Sequence, residues 1–558
     1  MHPSRIFFYS CLAFSAGIGA SAIFRIPEAM TLGMLGVAVI IFIVGVFTKM
    51  YASPVRSSPA ERDATSHGVK YLVIALGIAA FALGVIWSED ARRQWDYERD
   101  AFFVSAQNLS RATKEVGVNP PVEDFADKYD ASKELALVQE SIRTIFPREA
   151  PSGITATIAS RERLENSTRY ELEHISSAPR FQTRWLLTYT GYETFSPGDR
   201  ILLQQLRFDT STTAEAFLKR DGVAGAIMFP ENIVLLGNTC PTFLASALCV
   251  RYRTSGELSR LKESFEKNLR LALPAPHAAL AAGLLLGTRS ALPQDMKEDF
   301  KRTGMSHIVA VSGYNITILV LAIATLLGFF MLPRSLTFWI VTLFIMLFAL
   351  LTGAGASVVR AALMGFLLIL AQKESRMYSA RIALSFAGAA MLFQNPMLLR
   401  YDLGFILSFL ATAGLMVLYP LLEERARAEE KLSGIKDIVL QSVSAQMFVL
   451  PVIIVAFGSI SLIFLISNVA ILPFIPPTML FSFIAGIAGF FGEYIGSIVA
   501  FPAYVLLDYE IGIVAAFSKI PYASLAVTSL IARWVIGLAS AACVVLLVWK
   551  LKKLRQVF

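Results

Sequence analysis

The sequence contains few charged residues and few of the side chains that hold metal ions. Only 16 % of its 558 residues are charged, whereas a soluble domain is nearer about a quarter. It has four cysteines and five histidines, and neither a CxxC pair nor two histidines at the spacing of a zinc site. It also lacks the GxxxxGK[S/T] phosphate loop, which excludes ATP hydrolysis by that route. We therefore predict no metal, no cofactor and no enzymatic activity.

Long apolar runs take the place of the missing charge. The chain is 55 % hydrophobic with a mean hydropathy of +0.59, and several runs reach the roughly 20 residues that cross a bilayer as a helix. The first run is interpreted as a retained anchor rather than a signal peptide, because a second run follows after a few residues. The sequence thus predicts a polytopic α-helical membrane protein. Its apolar runs are 6–24, 31–47, 71–87, 308–332, 336–351, 358–371, 405–418, 460–474 and 534–549.

Lysine and arginine in short loops predict how the helices are oriented, because basic loops stay in the cytoplasm. Basic residues cluster in 49–70, 373–381, 425–436 and the tail 550–558. Placing all four inside puts the N-terminus inside and the polar region 89–273 outside. The tail is then inside only if one of the four apolar segments after residue 457 does not span by itself. The prolines of PFIPP, Pro473–Pro477, mark the expected break.

The predicted external region becomes rich in strand patterns after residue 150. Five stretches, from ITATIASRER at Ile154 to GAIMFPENIVLL ending at Leu236, have partly alternating apolar character and are separated by turn residues. Five short strands fit a small OB-like β-barrel, at about 150–240, within an extracytoplasmic α/β region. The next stretch, Leu258–Leu273, has the pattern of an amphipathic helix that lies at the membrane interface or packs on the barrel.

A barrel of this kind can bind single-stranded nucleic acid through aromatic platforms in a basic groove. The alternative is that Trp185 and its aromatic neighbours are barrel core, which we favour because aromatics on strands usually pack. The DNA-binding candidates in the barrel are Arg161, Arg163, Arg184, Trp185 and Arg207.

Two of the cysteines lie in the predicted external region, where disulfides persist. We predict that Cys240 and Cys249 form a disulfide, with two free thiols as the alternative. Cys11 and Cys543 lie in apolar runs and are interpreted as small hydrophobic side chains.

Polar residues interrupt the apolar runs of the second half of the chain. The stretch MSHIVAVSGYNITILVL, Met305–Leu321, carries a polar cluster with a glycine in its middle. In a bilayer such groups need protein partners or water, so the cluster favours a broken helix or a wet cavity. The alternatives are polar residues that only join helices, and a structural salt bridge between Arg360 and Asp402. The predicted polar path consists of His307, Ser312, Gly313, Tyr314, Asn315, Arg360, Asp402, Gln446 and Asn468.

The segment AAGLLLGTRSALPQDMKEDFKRTGMSHIVAVSGYNITIL resembles the signature of the ComEC competence-protein family, the inner-membrane DNA-uptake channels of natural transformation. Its matching features are Gly283–Gly287, Phe300, Gly304 and the HxxAxSG sequence that begins at His307. Further blocks resemble the family in the same order, from about Tyr71 to Val527. They are SPGDRILLQQ, FLKRDGVAGAIMFPE, LLTGAGASVVRAALM, NPMLLRYDLGFILSFLATAGL, SVSAQMFVLPVIIVAFGSIS and ISNVAILPFIPP.

The sequence departs from this family at two points. Tyr314 and Asn315 stand where members often have Leu-His, and Asn315 keeps hydrogen-bonding capacity but not a titratable charge. Many members carry a metallo-β-lactamase-like domain after the last helix, whereas this chain has no HxHxDH sequence. We therefore expect another protein to process double-stranded DNA.

The resemblance implies an inner-membrane channel that passes single-stranded DNA into the cytoplasm of a bacterium. It also implies an external DNA receptor and a cytoplasmic helicase-like motor as partners. Two alternatives stay open: a small-solute secondary transporter, and a membrane-embedded hydrolase with Ser312 and His307. The expected domains are N-terminal transmembrane helices (1–88), an extracytoplasmic domain (89–255), amphipathic and interfacial helices (256–305), a channel domain (306–549) and a basic tail (550–558).

Overall fold

In a computed structural model of the chain, two compact units are distinguished, Met1–Trp87 with Leu261–Phe558 and Ser88–Arg260. The structure describes residues 3–23, 34, 74–88, 91, 154–163, 167–173, 184–190, 195–204, 223–228, 232–238, 247–288, 292–309, 313–426 and 433–555.

The unit that contains both ends of the chain is built of helices. The helices of the structure, in chain order, are α1 (Pro3–Ile23), α2 (Ile74–Ser88), α3 (Ala247–Ala272), α4 (His277–Leu286), α5 (Gln294–Arg302), α6 (Ser306–Val309), α7 (Gly313–Phe329), α8 (Arg334–Leu351), α9 (Ala356–Lys373), α10 (Ala380–Gln394), α11 (Leu398–Tyr401), α12 (Leu403–Val417), α13 (Tyr419–Ala426), α14 (Ser433–Phe457), α15 (Phe464–Ile471), α16 (Ile475–Ala488), α17 (Glu493–Ser518) and α18 (Leu530–Arg555). Helix α3 begins in the other unit, which ends at Arg260, and continues into this one.

Within the described part of the chain, five helical stretches are long and apolar enough to cross a membrane: Ala356–Lys373, Leu403–Glu424, Gly434–Phe457, Glu493–Ser518 and Leu530–Leu551. Between two of them, α15 and α16 form a pair that is bent by 51°. The bend falls at the prolines of PFIPP, because Pro473 and the two prolines of α16 cannot donate backbone hydrogen bonds to the preceding turn. The predicted multi-pass helical membrane protein is therefore confirmed, and so is the break.

A two-stranded ladder links the topology of the bent pair to that of α17. Strand β7 (Ser459–Ser461) follows α14 and pairs antiparallel with β8 (Ser524–Ala526), which follows α17. Paired strands must lie on one side of a bilayer. α17 lies between them, so if α17 spans the membrane, the bent pair must span as well. Three crossings then follow α14, which is the odd number that an internal basic tail requires.

The other unit contains a six-stranded sheet. Its strands are β1 (Ile154–Arg163), β2 (Thr168–Glu173), β3 (Arg184–Tyr189), β4 (Asp199–Gln204), β5 (Val223–Met228) and β6 (Asn232–Asn238). Their order across the sheet is β5-β3-β2-β1-β4-β6, with β3 and β5 parallel and all other pairs antiparallel.

The sheet differs from the predicted five-stranded barrel in two ways. The predicted strand at 225–236 is divided into β5 and β6, and in the described residues no ladder joins these two edge strands. An OB-fold is therefore not established. The sheet has its own core, in which Tyr170, Leu172 and Leu187 are fully buried.

Helix α3 is longer than the predicted amphipathic segment, and its second half, from Leu261, packs on the membrane bundle. Its buried side chains Phe265 and Leu269 face inward, and the ring of Phe265 lies 6.1 Å from that of Phe483 on α16. Asn268 Nδ2 donates a hydrogen bond of 3.3 Å to the Gly486 carbonyl. Glycine at 486 leaves the room that the Phe265 ring occupies.

Candidate polar path and the buried Arg360 site

Arg360 lies inside the bundle and joins three helices. Its side chain projects from α9 and is only 8 % exposed. Nη1 donates to the Ser408 carbonyl at 2.7 Å and to the Thr412 hydroxyl, both on α12. Thr412 Oγ1 itself donates to the Ser408 carbonyl, so the guanidinium is held by a closed group of three polar atoms. Nε has no hydrogen-bond partner in the structure.

The N-terminus of α7 lies directly against this guanidinium. Gly313 begins α7, and a Cβ added there would be 2.5 Å from Arg360 Nη2 and 3.4 Å from Ala361 Cβ. Only glycine therefore allows this approach. The helix start adds the partial positive charge of its free backbone N–H groups to the guanidinium. Two positive features thus meet at one place in an apolar bundle.

Asp402 does not pair with Arg360. Its carboxylate caps α12, where Oδ1 accepts a hydrogen bond of 3.0 Å from Phe405 N. Aspartate is a favoured N-cap because it satisfies a free backbone N–H and complements the helix dipole. Among the described side chains, no acidic group is within ion-pair distance of Arg360.

The residues around the HxxAxSG sequence are only partly brought together. His307 lies on α6, is exposed, and has Nδ1 3.1 Å from the Gly304 carbonyl. Asn315 on α7 is buried and donates from Nδ2 to the Leu284 carbonyl of α4 at 3.0 Å, which joins two helices. Ser312 and the side chain of Tyr314 lie outside the described residues. The Ser312–His307 hydrolase alternative therefore stays untested.

Gln446 and Asn468 lie away from the Arg360 hydrogen bonds. Gln446 is half-buried on α14, the helix that carries Pro451 in its interior. Asn468 is buried on α15, before the bend, and its Oδ1 has no hydrogen-bond partner in the structure. Neither side chain takes part in the hydrogen bonds made by Arg360.

Sequence reasoning missed a buried acid in the same bundle. Glu510 lies within α17, is 2 % exposed, and has Oε1 2.6 Å from the Thr478 hydroxyl of α16. The signal was present in the sequence, because a carboxyl near the middle of a long apolar helix is costly and usually functional. A second missed pair joins His277 Nε2 to Asp508 Oδ1 at 3.2 Å.

In the sheet unit, Trp185 is 3 % exposed and belongs to the core, so it presents no ring face to a nucleobase. Arg161 Nη1 lies 3.5 Å from the Phe195 carbonyl. Arg163 and Arg184 lie at strand ends, but their side chains are outside the described part, as is Arg207. Cys240 and the side chain of Cys249 also lie outside it, so the disulfide stays a prediction.

Comparison with known proteins gives two matches and no solved structure. The profile of the Competence protein family matches residues 284–552. ComE operon protein 3 of Bacillus subtilis (strain 168) is 25 % identical over 215 residues, which are 38 % of this chain and 27 % of that protein. No solved structure matches. Residues 284–552 of this chain are therefore similar to the ComEC-type competence proteins.

The competence region contains most of the predicted polar path. Gly313, Arg360, Asp402, Gln446 and Asn468 all lie within 284–552, as does Glu510. The sheet unit lies outside the matched residues. The similar stretch spans about a quarter of the curated relative, so that protein's properties do not transfer as a whole.

Proposed function

We propose that this chain takes part in DNA uptake as a channel through which single-stranded DNA crosses the cytoplasmic membrane. The strand would enter from outside the cell and leave into the cytoplasm. A DNA receptor outside and a helicase-like motor inside are the proposed partners. The competence-family match and the multi-pass bundle support this assignment.

The observation that carries the proposal is the buried cation at Arg360. A guanidinium inside a membrane protein is costly, and such groups usually mark the path of a charged solute. Arg360 has no carboxylate partner among the described residues, and its neighbours on α12 are neutral acceptors. The first turn of α7 lies beside it. A phosphate of the strand would supply the missing negative charge, which a planar guanidinium binds well.

The first test deletes the gene in its host and measures uptake of a selectable DNA marker, with complementation by the intact gene. Arg360→Ala is expected to lower uptake to the level of the deletion strain while the protein reaches the membrane normally. Arg360→Lys keeps the charge but not the planar fork, so it should retain partial uptake. Normal uptake in Arg360→Ala would refute the role of this side chain.

The matched control is Arg381→Ala, which removes one positive charge at an exposed position of α10. We expect this variant to complement the deletion fully. Equal losses in the two variants would show that overall charge, rather than the buried site, matters.

The small-solute transporter remains the second proposal, because the bent pair resembles the discontinuous helices that transporters use. Unchanged DNA uptake in the deletion strain, together with saturable solute uptake into vesicles that contain the protein, would favour it.

A further inference from the structure

The bend between α15 and α16 is held by two consecutive residues of α17. Phe474 N donates to the Ile471 carbonyl at 2.9 Å, which leaves the Ala470 carbonyl without its usual partner from four residues on. Tyr509 donates its hydroxyl proton to that carbonyl at 3.2 Å. On the other side of the bend, Glu510 contacts Thr478 in the first turn of α16. The crossing helix therefore satisfies polar groups on both sides of the break.

The hydrogen bonds of Thr478 allow two arrangements of the protons. Thr478 Oγ1 lies 2.8 Å from the Phe474 carbonyl and 2.6 Å from Glu510 Oε1. A hydroxyl has one proton to donate, and a carbonyl oxygen can only accept. With the hydroxyl proton directed to Phe474, the short contact to Glu510 is a hydrogen bond only if the carboxyl donates. This arrangement is that of a neutral carboxylic acid.

Among the described residues, none of the groups around Glu510 is a positive charge that would stabilise a carboxylate. Helices α15 and α16 contain no ionisable side chain. On α4, His277 contacts Asp508, which is two positions from Glu510 and therefore on another face of α17. On α5, the ionisable residues are half-buried or exposed, and none interacts with Glu510; they are Asp295, Lys297, Glu298, Asp299, Lys301 and Arg302. An unpaired charge here is costly.

We propose that Glu510 is a proton-binding site of the membrane bundle, and that release and return of its proton turns the Thr478 hydroxyl between the Phe474 carbonyl and Glu510. When the proton leaves to water, the carboxylate can only accept, so Thr478 donates to it. The Phe474 carbonyl then keeps only its bond from Thr478 N at 3.0 Å. The first turn of α16 loses one of its two links to the bend.

Because of its position, a small rearrangement at Glu510 can have a large effect on the bundle. Glu510 is eight residues from the end of α17, or about 12 Å along its axis. It therefore lies within the bilayer, and its side chain meets the bundle at the one bent span. We infer that strand passage requires this proton exchange, a step that rests on the proposed function.

The deciding variant is Glu510→Gln, which keeps the size and the donor to Thr478 but cannot release a proton. Infrared difference spectra of reconstituted protein across about pH 4 to 10 should contain a protonated-carboxyl band in the wild type that is missing in the variant. Glu510→Asp should shift that band rather than remove it. Spectra of wild type and Glu510→Gln that are the same would overturn the proposal.

Uptake of a DNA marker tests the functional half. Glu510→Gln should lower uptake between about fivefold and about 150-fold at a normal membrane level, the range of typical couplings between two states. Glu493→Gln, an exposed acid on the same helix, is the matched control and should change neither spectrum nor uptake. Full uptake by Glu510→Gln refutes the required exchange. If even the wild-type gene restores no uptake, the DNA channel assignment fails, while the infrared comparison still decides the proton site.

Discussion

At the scale of single residues, Gly313 leaves no room for a side chain beside Arg360. Gly313 allows the Arg360 guanidinium to lie against the backbone of α7. The guanidinium cannot retreat easily, because its hydrogen bonds to Ser408 and Thr412 fix it from the other side. A methyl group added at position 313 would therefore press against the guanidinium of Arg360, which belongs to another helix, α9.

We expect Gly313→Ala to destabilise the bundle by about 1–3 kcal/mol and to lower DNA uptake, because the new Cβ displaces Arg360. The measurement is the temperature at which detergent-purified protein loses its monodisperse peak, combined with the uptake assay. Gly328→Ala is the control on the same helix, where a Cβ would meet no atom within 4 Å. Equal behaviour of the two variants would contradict the overlap.

Tyr170 holds a second residue-scale device, in the core of the sheet unit. Its ring is fully buried, and its hydroxyl oxygen accepts a hydrogen bond of 3.2 Å from Phe195 N. Burial raises the pKa of Tyr170, because the phenolate is less well solvated than in water. The folded state therefore keeps its proton at a pH where the unfolded chain loses it. The contribution of this pKa difference to stability is fully present below about pH 10, the ordinary tyrosine pKa, and is lost as the pH rises above it.

Tyr170→Phe should cost roughly 1–3 kcal/mol at neutral pH, because the Phe195 N–H loses its acceptor. It should also remove this residue's part of the alkaline loss of stability. The rate of limited proteolysis within 154–238 of the full chain, measured from neutral to alkaline pH, reports both effects. Tyr189→Phe, at a half-buried position of the same core, is expected to change the rate little. A similar rate in wild type and Tyr170→Phe at neutral pH would contradict the hydrogen-bond assignment.

At the scale of elements, close helix packing replaces the hydrophobic driving force that a membrane lacks. Helices α1 and α2 approach through reciprocal glycines. A Cβ on Gly17 would overlap the Phe81 carbonyl, and one on Gly84 would overlap the Phe14 carbonyl. Ile18, next to the first glycine, is fully buried with Met391 and Leu392 of α10. The first apolar run is thus part of the bundle.

Gly84→Ala should force α1 and α2 apart and destabilise the purified protein by about 1–3 kcal/mol. Gly77→Ala lies on the same helix with no atom within 4 Å of the added Cβ, so it should be neutral or slightly stabilising. Heating steps followed by size-exclusion chromatography compare the two. A Gly84→Ala variant as heat-resistant as wild type would exclude tight packing at this crossing.

Sequence patterns predicted these elements unevenly. Apolar runs predicted three of the five long helices, whereas Gly434–Phe457 and Glu493–Ser518 are not among those runs. The PFIPP sequence predicted the bend, because proline acts locally through its missing N–H. The partner of Asp402 was not predictable in the same way, since an N-cap and an ion pair use the same carboxylate. The α3 docking surface depends on Gly486, more than 200 residues away, and no local pattern carries that contact. The sequence predicted the strand-forming stretches of the sheet but not which strands lie at its edges, because closure of a barrel depends on pairing between strands that are distant in the sequence.

At the scale of the whole molecule, the β7–β8 ladder couples the topology of the bent pair to that of α17 in the last third of the chain. If the bent pair and α17 both span, Gly492 and Tyr522 lie on opposite faces of the membrane, and the C-terminal tail lies on the same face as Gly492. With the basic segment 425–436 inside, we expect reporter fusions at 492 and after 558 to be cytoplasmic and a fusion at 522 to be external.

The measurement uses paired fluorescent-protein and alkaline-phosphatase fusions at these three positions, with a fusion within 425–436 as the internal reference. A cytoplasmic reporter at 522 with an external tail would contradict the single bent span. That result would make the pair a re-entrant loop and would separate the two strands of the ladder.

The ladder also determines the order in which the last third of the chain can fold during synthesis. Residues 459–461 leave the ribosome about 60 residues ahead of 524–526, and synthesis at roughly 5–20 residues per second separates them by several seconds. During that interval the bent pair enters the membrane before β8 can pair with β7 and before α17 can contact the bend. The last third of the protein can therefore complete its packing only after residues 524–526 have been made. A ribosome that stalls before residue 524 leaves a chain in which β7 has no partner strand, and quality-control proteases can recognise such a chain.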